Sequence, residues 1–299
     1  MIRRWGRYVG AAYRPAVQIP YTVSWAVGLT ALFATVTAGV ARWRPGVDLL
    51  VTTVTLMVTM LLIRALDDLR DLEYDRALNP GRPLPSGLVR PGDLYTLVAV
   101  GGVLLLALNA GRGVALVALV VQMVYTAAVI VAELVGGWPA PDRIGLQAAV
   151  NLPILSMLSL YVYAGFLRAE HVRPSAAGFV AVAAVTLGAL AVEFGRKTSR
   201  RPRPGERTYA TILGAAGTSA AGLAAAVLAT TAVVVMVAPW RPGAAWGWLV
   251  LAPLALPVIS AGRFAAGDNR WPALPTIAYV PAMYGSFLVV GWLTKGALG

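Results

Sequence analysis

The chain contains no cysteine, which removes disulfides, zinc–thiolate centres and thiol nucleophiles from consideration. It has one histidine, His171, so no histidine pair is available to ligate a metal. Charge is scarce: 13% of residues are Asp, Glu, Lys or Arg, about half of the roughly 25% usual in a soluble domain. Acids are scarcer still, 13 against 25 Lys and Arg, for a net charge of +12. In a soluble protein that excess points to nucleic acid. In an apolar chain it is explained by loops facing anionic lipid, and no nucleic-acid partner is expected.

What is abundant is apolar sequence, 58% of residues at a mean hydropathy of +0.71. Nine runs are long enough to cross about 30 Å of hydrocarbon at about 1.5 Å per residue. They lie near 18–41, 47–66, 93–110, 114–134, 145–167, 175–193, 209–238, 245–262 and 275–294. The seventh is long enough to kink or tilt. Small residues such as Gly214-Ala-Ala-Gly217 suit close helix packing in lipid. The Arg-rich start (Arg3, Arg4, Arg7, Arg14) leads into a run longer than a signal-peptide core, which predicts a retained first span. The fold expected is all-α: a single polytopic membrane domain over 1–299, with about nine transmembrane helices bundled around a central cavity.

Nine spans put the two termini on opposite sides. With the N-terminus inside, Lys and Arg divide 18 inside to 7 outside. Positively charged loops stay cytoplasmic, so the split predicts an integral cell-membrane protein with a cytoplasmic N-terminus and its C-terminus outside. Two of the cytoplasmic loops dominate, one after span two and one after span six.

The first of these starts at the end of span two. Fifteen uncharged residues, Leu49 to Ile63, are followed by five carboxylates within nine residues: Asp67, Asp68, Asp71, Glu73 and Asp75. At about 100° per residue, Asp68, Asp71 and Asp75 fall within roughly 60° of one another, with Arg64 on the same face. Carboxylates stacked so closely repel unless a cation lies between them. Oxygen ligands of this kind, together with substrate phosphates, suit Mg²⁺. A solvated helix end just outside the membrane would carry similar residues.

The second loop runs Glu193-Phe-Gly-Arg196-Lys197-Thr-Ser-Arg200-Arg201-Pro-Arg203-Pro-Gly-Glu206-Arg207. Glu193, Arg196, Lys197 and Arg200 share a helix face before Pro202 and Pro204 end the turn. An acidic stripe facing a cationic loop suits a metal-bound polyphosphate, with carboxylates on the metal and guanidinium groups on the remaining oxygens. A positive-inside anchor on lipid headgroups has the same composition.

At these two loops the sequence resembles the UbiA superfamily of intramembrane prenyltransferases. Asp67-Asp68-x-x-Asp71-x-x-x-Asp75 matches that family's Asn-Asp-x-x-Asp-x-x-x-Asp motif, with Asp in place of Asn. Arg82-Pro83-Leu84-Pro85-Ser86-Gly87 looks like the loop that follows it, and Arg14-Pro15 is similar to the family's entry to span one. Nine spans with reactive loops after the second and sixth fit the family's layout over nearly the whole chain. The second motif departs: the family has Asp-x-x-x-Asp, and here the positions are Glu193 and Lys197, with Glu206 nearby. That departure bears on acceptor chemistry more than on diphosphate binding.

The resemblance implies a prenyl diphosphate substrate, of geranyl to geranylgeranyl length or longer, its tail among the spans. Mg²⁺ as cofactor would be held by Asp67, Asp68, Asp71, Asp75 and Glu193, with Arg64, Arg70, Arg82, Arg196 and Lys197 on the diphosphate. Asp68, Asp71, Asp75 and Glu193 would be the catalytic set. Loss of diphosphate leaves an allylic cation that aromatic faces stabilise; Tyr125, Tyr161, Tyr163 and Tyr209 are candidates, and Glu133 and Asn151 are candidates to orient an acceptor. An acceptor that captures the cation makes the protein a prenyltransferase, the reading placed first. Attack by the prenyl chain's own double bonds makes it a UbiA-type terpene cyclase. A transporter is the third reading, and it fits less well because the acids cluster at helix ends on one side.

Overall fold

In hydrocarbon no water is present to bond backbone N–H and C=O groups, so apolar runs of spanning length fold as helices. The protein, a computed structural model describing residues 2–140, 142–204 and 206–296, contains helices and no strand over those residues. A short helix α1 (Ile2–Tyr8) and a π-helical turn (Val9–Tyr13) precede α2 (Pro15–Val36). Then come α3 (Val47–Arg70), the short α4 (Leu72–Leu78), α5 (Pro91–Leu108), α6 (Val114–Gly136), α7 (Ile144–Glu170), α8 (Ala176–Arg196) and α9 (Ala210–Val237). A 3₁₀ segment (Ala245–Leu254) runs into α10 (Ala255–Ala265), and α11 (Ala273–Lys295) follows. Among the described residues nine of these helical segments are long and apolar enough to cross a membrane, the 3₁₀ segment and α10 together counting as one. This is an all-α polytopic membrane fold.

The span ends shift by a few residues from the sequence pattern, most at the first two, and the long seventh span is kinked as its length predicts. The first span stops at Val36 rather than residue 41, although the sequence stays apolar, because Gly39 takes a left-handed φ of 89°. The second continues to Arg70, carrying its first acids inside the helix. The seventh breaks at Gly214, whose φ of 68° and ψ of 165° are accessible to glycine alone without strain.

Contacts between loops fix which ends share a face. Tyr8, Arg4, Asp68, Asp93 and the 79–90 loop meet on one face, called here the N-terminal face. Glu133 at the end of α6 joins them, and Arg270 joins the α8–α9 loop. On the opposite face the Trp43 N–H donates to the Lys295 carbonyl at 2.8 Å, and Lys295 Nζ to the Val40 carbonyl at 2.8 Å. Helix α11 therefore packs along α2. The approach is close enough that a Cβ on Gly28 would lie 2.3 Å from the Tyr284 carbonyl oxygen, and one on Gly291 would lie 2.8 Å from the Ala31 Cβ. Backbones that close give the dispersion contact that holds helices together in lipid.

Candidate functional site

The acidic stretch forms where α3 gives way to α4. Asp71, at φ −89° and ψ 11°, interrupts the helix, yet the Asp71 N–H still reaches the Asp67 carbonyl and the Asp75 N–H the Asp71 carbonyl, both at 2.8 Å. Asn79 closes α4 and donates from Nδ2 to Asp75 Oδ1 at 2.9 Å. Its carbonyl accepts the Arg82 N–H at 3.0 Å, and this turn swings the Arg82 side chain back over α4.

The five carboxylates are not one stripe. Asp68 and Asp75, 2% and 1% exposed, form the first cluster. Arg82 Nη1 lies 2.5 Å from Asp75 Oδ2 and 4.0 Å from Asp68 Oδ1. Arg64 Nη2 sits 2.7 Å from the same Asp68 oxygen, and the Tyr8 hydroxyl donates to Asp68 Oδ2 at 2.9 Å. Burial and the Asp68 charge push the Tyr8 hydroxyl far above the usual tyrosine range, so it remains a donor. Asp71 belongs to a second cluster. There Arg70 Nη2 lies 3.1 Å from Asp67 and 3.2 Å from Asp71, while its Nε is 3.3 Å from Glu133 Oε2. Glu133 is 7% exposed at its side chain. Glu73 points away and pairs with Arg76. The break at Asp71 and the Arg70 guanidinium beside it turn Asp71 from the face its spacing predicts.

In the last turn of α8, Glu193 Oε1 is 2.6 Å from Lys197 Nζ and accepts a 3.3 Å hydrogen bond from the Tyr209 hydroxyl at the far end of the α8–α9 loop. Lys197 Nζ lies 5.4 Å from the centre of the Tyr209 ring, and Phe194 meets that ring edge-on. Burial first, and Glu193 second, raise the Tyr209 hydroxyl above its usual range. Arg196 is exposed. Glu206 faces Arg270, at 2.8 and 2.9 Å, which pins this loop to the α10–α11 loop. One contact ties the cationic loop to the acidic one: the Arg207 guanidinium stacks 4.6 Å from the Tyr74 ring centre.

The weaker candidates scatter. Tyr125 donates to the Val150 carbonyl at 2.9 Å, and Asn151 Nδ2 to Gln147 of its own helix. Tyr161 is buried on the opposite face, about 15 Å further along α7 than Asn151 at 1.5 Å per residue. There its hydroxyl accepts from Arg112 Nη1 at 2.6 Å and donates to Asn109 Oδ1 at 2.8 Å. Tyr163 packs against Phe33, Phe166 and Phe179 in the same half. Neither lies beside the carboxylates.

Sequence reasoning missed Tyr8 and the grouping of Glu133 with Asp67 and Asp71. It also missed the opposite-face network, where buried Arg112 bonds Asp48, Thr52, Asn109 and Tyr161. Only Asp48 and Arg112, the two charges framing that face of α3 and α5, hinted at it.

The donor set on the N-terminal face is all carboxylate oxygen, which suits a hard divalent ion. Asp68 Oδ1 and both Glu133 oxygens are enclosed without a directed hydrogen bond, although arginines lie beside them. Such oxygens fit a cation, which makes no demand on hydrogen-bond angle. Among the described residues no three carboxylates already converge at metal-ligand reach; guanidinium groups stand between them. No protein-family model matches the chain, and no curated protein matches it.

Proposed function

We propose that the protein is an intramembrane, Mg²⁺-dependent prenyltransferase of the UbiA type. It would cleave the C–O bond of a prenyl diphosphate, release diphosphate with the bonding electrons, and join the prenyl carbon to an acceptor that gives up a proton. The observation that carries this reading is the buried Asp68–Asp75 pair with Arg64 and Arg82 around it, set at one face of an apolar bundle. The motif resemblance at Asp67 to Asp75 and Arg82 to Gly87 supports it.

In this reading Asp68 and Asp75 of the first cluster, Asp67 and Asp71 of the second, and Glu193 would hold Mg²⁺ once the arginines between them turn to the diphosphate, and Glu133, beside Arg70, would be a further oxygen donor. Mg²⁺ supplies charge neutralisation at the diphosphate oxygens, which makes diphosphate a better leaving group. Arg64, Arg70, Arg82 and Lys197 bind the remaining oxygens, and Arg196 extends that cationic rim into solvent. Tyr8 holds Asp68 in one rotamer, and Asn79 does the same for Asp75. The apolar spans receive the tail and keep water from the reacting carbon. The division of Lys and Arg, 18 to 7, supports a cytoplasmic N-terminal face in the cell membrane, with the C-terminus outside.

The test is purified protein in nanodiscs with Mg²⁺ and geranyl, farnesyl or geranylgeranyl diphosphate, followed by diphosphate release, donor binding and product extraction. Release that requires added membrane lipid or aromatic extract, and disappears in Asp68→Asn and Asp75→Asn, is the expected result. A cyclic terpene formed from donor alone would instead make it a cyclase, the reading that the Lys197 departure keeps open. Absence of Mg²⁺-dependent donor binding would overturn both.

A further inference from the structure

A charged cavity of about 470 Å³ lies on the N-terminal face, lined by Arg4, Arg7, Ser86, Gly87, Leu88 and Arg90. We propose that it binds a phosphate group, as the headgroup of an anionic lipid or as a free phosphate anion, separately from the Asp68–Asp75 cluster.

The walls are assembled rather than incidental. Arg4 and Arg7 stand three residues apart on α1, on one face. Trp5 Nε1 donates to the Asp93 carbonyl at 2.8 Å and so docks α1 on the first turn of α5. Arg90 is the residue before that turn. One carboxylate, Asp93, is close, and it is committed: it accepts from Arg4 Nη1 at 3.1 Å and from the Arg90 N–H at 3.0 Å. Neither Arg7 nor Arg90 pairs with a carboxylate among the described residues. Two exposed guanidinium groups that pair with no carboxylate among the described residues, lining a cavity large enough for a phosphate ester, suit an anion with several acceptor oxygens. The positive end of the α5 dipole adds to the same field.

The surroundings favour an amphiphile. Ile2 is 78% exposed, and along α5 Tyr95, Val100, Val103 and Leu104 are all at least half exposed. A bound phosphate would sit at headgroup depth, with its chain along that apolar surface. Occupancy would also reach the first cluster, because α1 carries Arg7 into the cavity and, one residue on, Tyr8 onto Asp68.

The experiment is native mass spectrometry of protein taken from nanodiscs of phosphatidylcholine mixed with phosphatidylglycerol, with phosphate and pyrophosphate binding measured in detergent alongside. Wild type is expected to retain phosphatidylglycerol selectively, and the Arg7→Gln/Arg90→Gln variant to bind it about tenfold more weakly or worse. An Arg42→Gln/Arg44→Gln variant removes the same charge from the opposite face and is expected to bind like wild type. Selective binding of phosphate or pyrophosphate without lipid preference, lost in the same Arg7/Arg90 variant, would make the ligand a soluble anion. Equal retention in all three proteins, or equal loss in both variants, would overturn the site and leave only general charge attraction. An unchanged melting temperature in pure phosphatidylcholine shows that the variants fold. If donor binding fails everywhere while selective lipid retention survives, this site stands and the prenyl-diphosphate reading falls.

Discussion

One nitrogen of Arg82 serves two buried carboxylates, lying 2.5 Å from Asp75 and 4.0 Å from Asp68. The two aspartates are seven residues apart on either side of a helix break, and the arginine reaches them from the loop that follows. Asp68 has Arg64 as well, but Asp75 depends on this side chain, at 38% exposure, as its only arginine partner among the described residues.

Replacing it exposes that dependence. Arg82→Gln should lower stability by about 1–3 kcal/mol, because Asp75 keeps Asn79 but loses its cation. Thermal melts with and without Mg²⁺ check this. The divalent ion should raise the melting temperature of the variant more than that of wild type. No Mg²⁺ effect on either protein would remove the carboxylates from metal binding.

On the opposite face, Arg112→Met should cost about 1–3 kcal/mol, the range for removing a buried charged donor from its hydrogen-bond partners. Asn109, Tyr161 and Thr52 lose their shared donor, while Asp48 keeps Arg168 at 2.5 Å and the Tyr161–Asn109 hydrogen bond remains. Donor binding on the N-terminal face should be unchanged. Reversible unfolding in detergent and a binding titration read the two effects separately.

Acid should loosen the join between two loops. The Arg270 hydrogen bonds and the Arg203 N–H hold Glu206 below the usual glutamate range. A depressed carboxylate stabilises the fold above its unfolded value, and that contribution is lost as pH falls through the usual glutamate range and below it. Glu206→Gln should therefore flatten this part of the stability–pH curve. An unchanged curve would mean that the pair carries no stability.

Gly28→Ala tests the α2–α11 contact. The added methyl meets backbone rather than a movable side chain, so about 1–3 kcal/mol of stability should go, in line with overpacking elsewhere. A melting temperature equal to wild type would show that α11 can shift without penalty.

The spans were legible because hydrocarbon leaves an apolar run no alternative to a helix of a given length. Their ends were less so: Thr37 to Ala41 reads as membrane, yet Gly39 turns the chain out. Within the candidate site, composition was readable and grouping was not. A period of about 100° assumes an unbroken helix, and Asp71 breaks it. Arg70 and Glu133, whose partnership sends Asp71 to the second cluster, are more than sixty residues apart. Tyr161 lies away from the carboxylates because the rise along α7 carries it into the other half of the bundle, where it bonds Arg112 and Asn109.

The Gly28–Tyr284 approach has a consequence for how the chain is made. Helix α2 emerges from the ribosome early and α11 late. The face of α2 that α11 will cover must wait in lipid while every other span is inserted. Closure of this face of α2 is thus a late event, triggered by the arrival of α11 rather than accumulated helix by helix. An Ala31→Cys chain arrested before residue 273 should accept a lipid-soluble thiol reagent that the Ala31→Cys chain carrying α11 excludes. Equal labelling of both would mean that other helices close that face first.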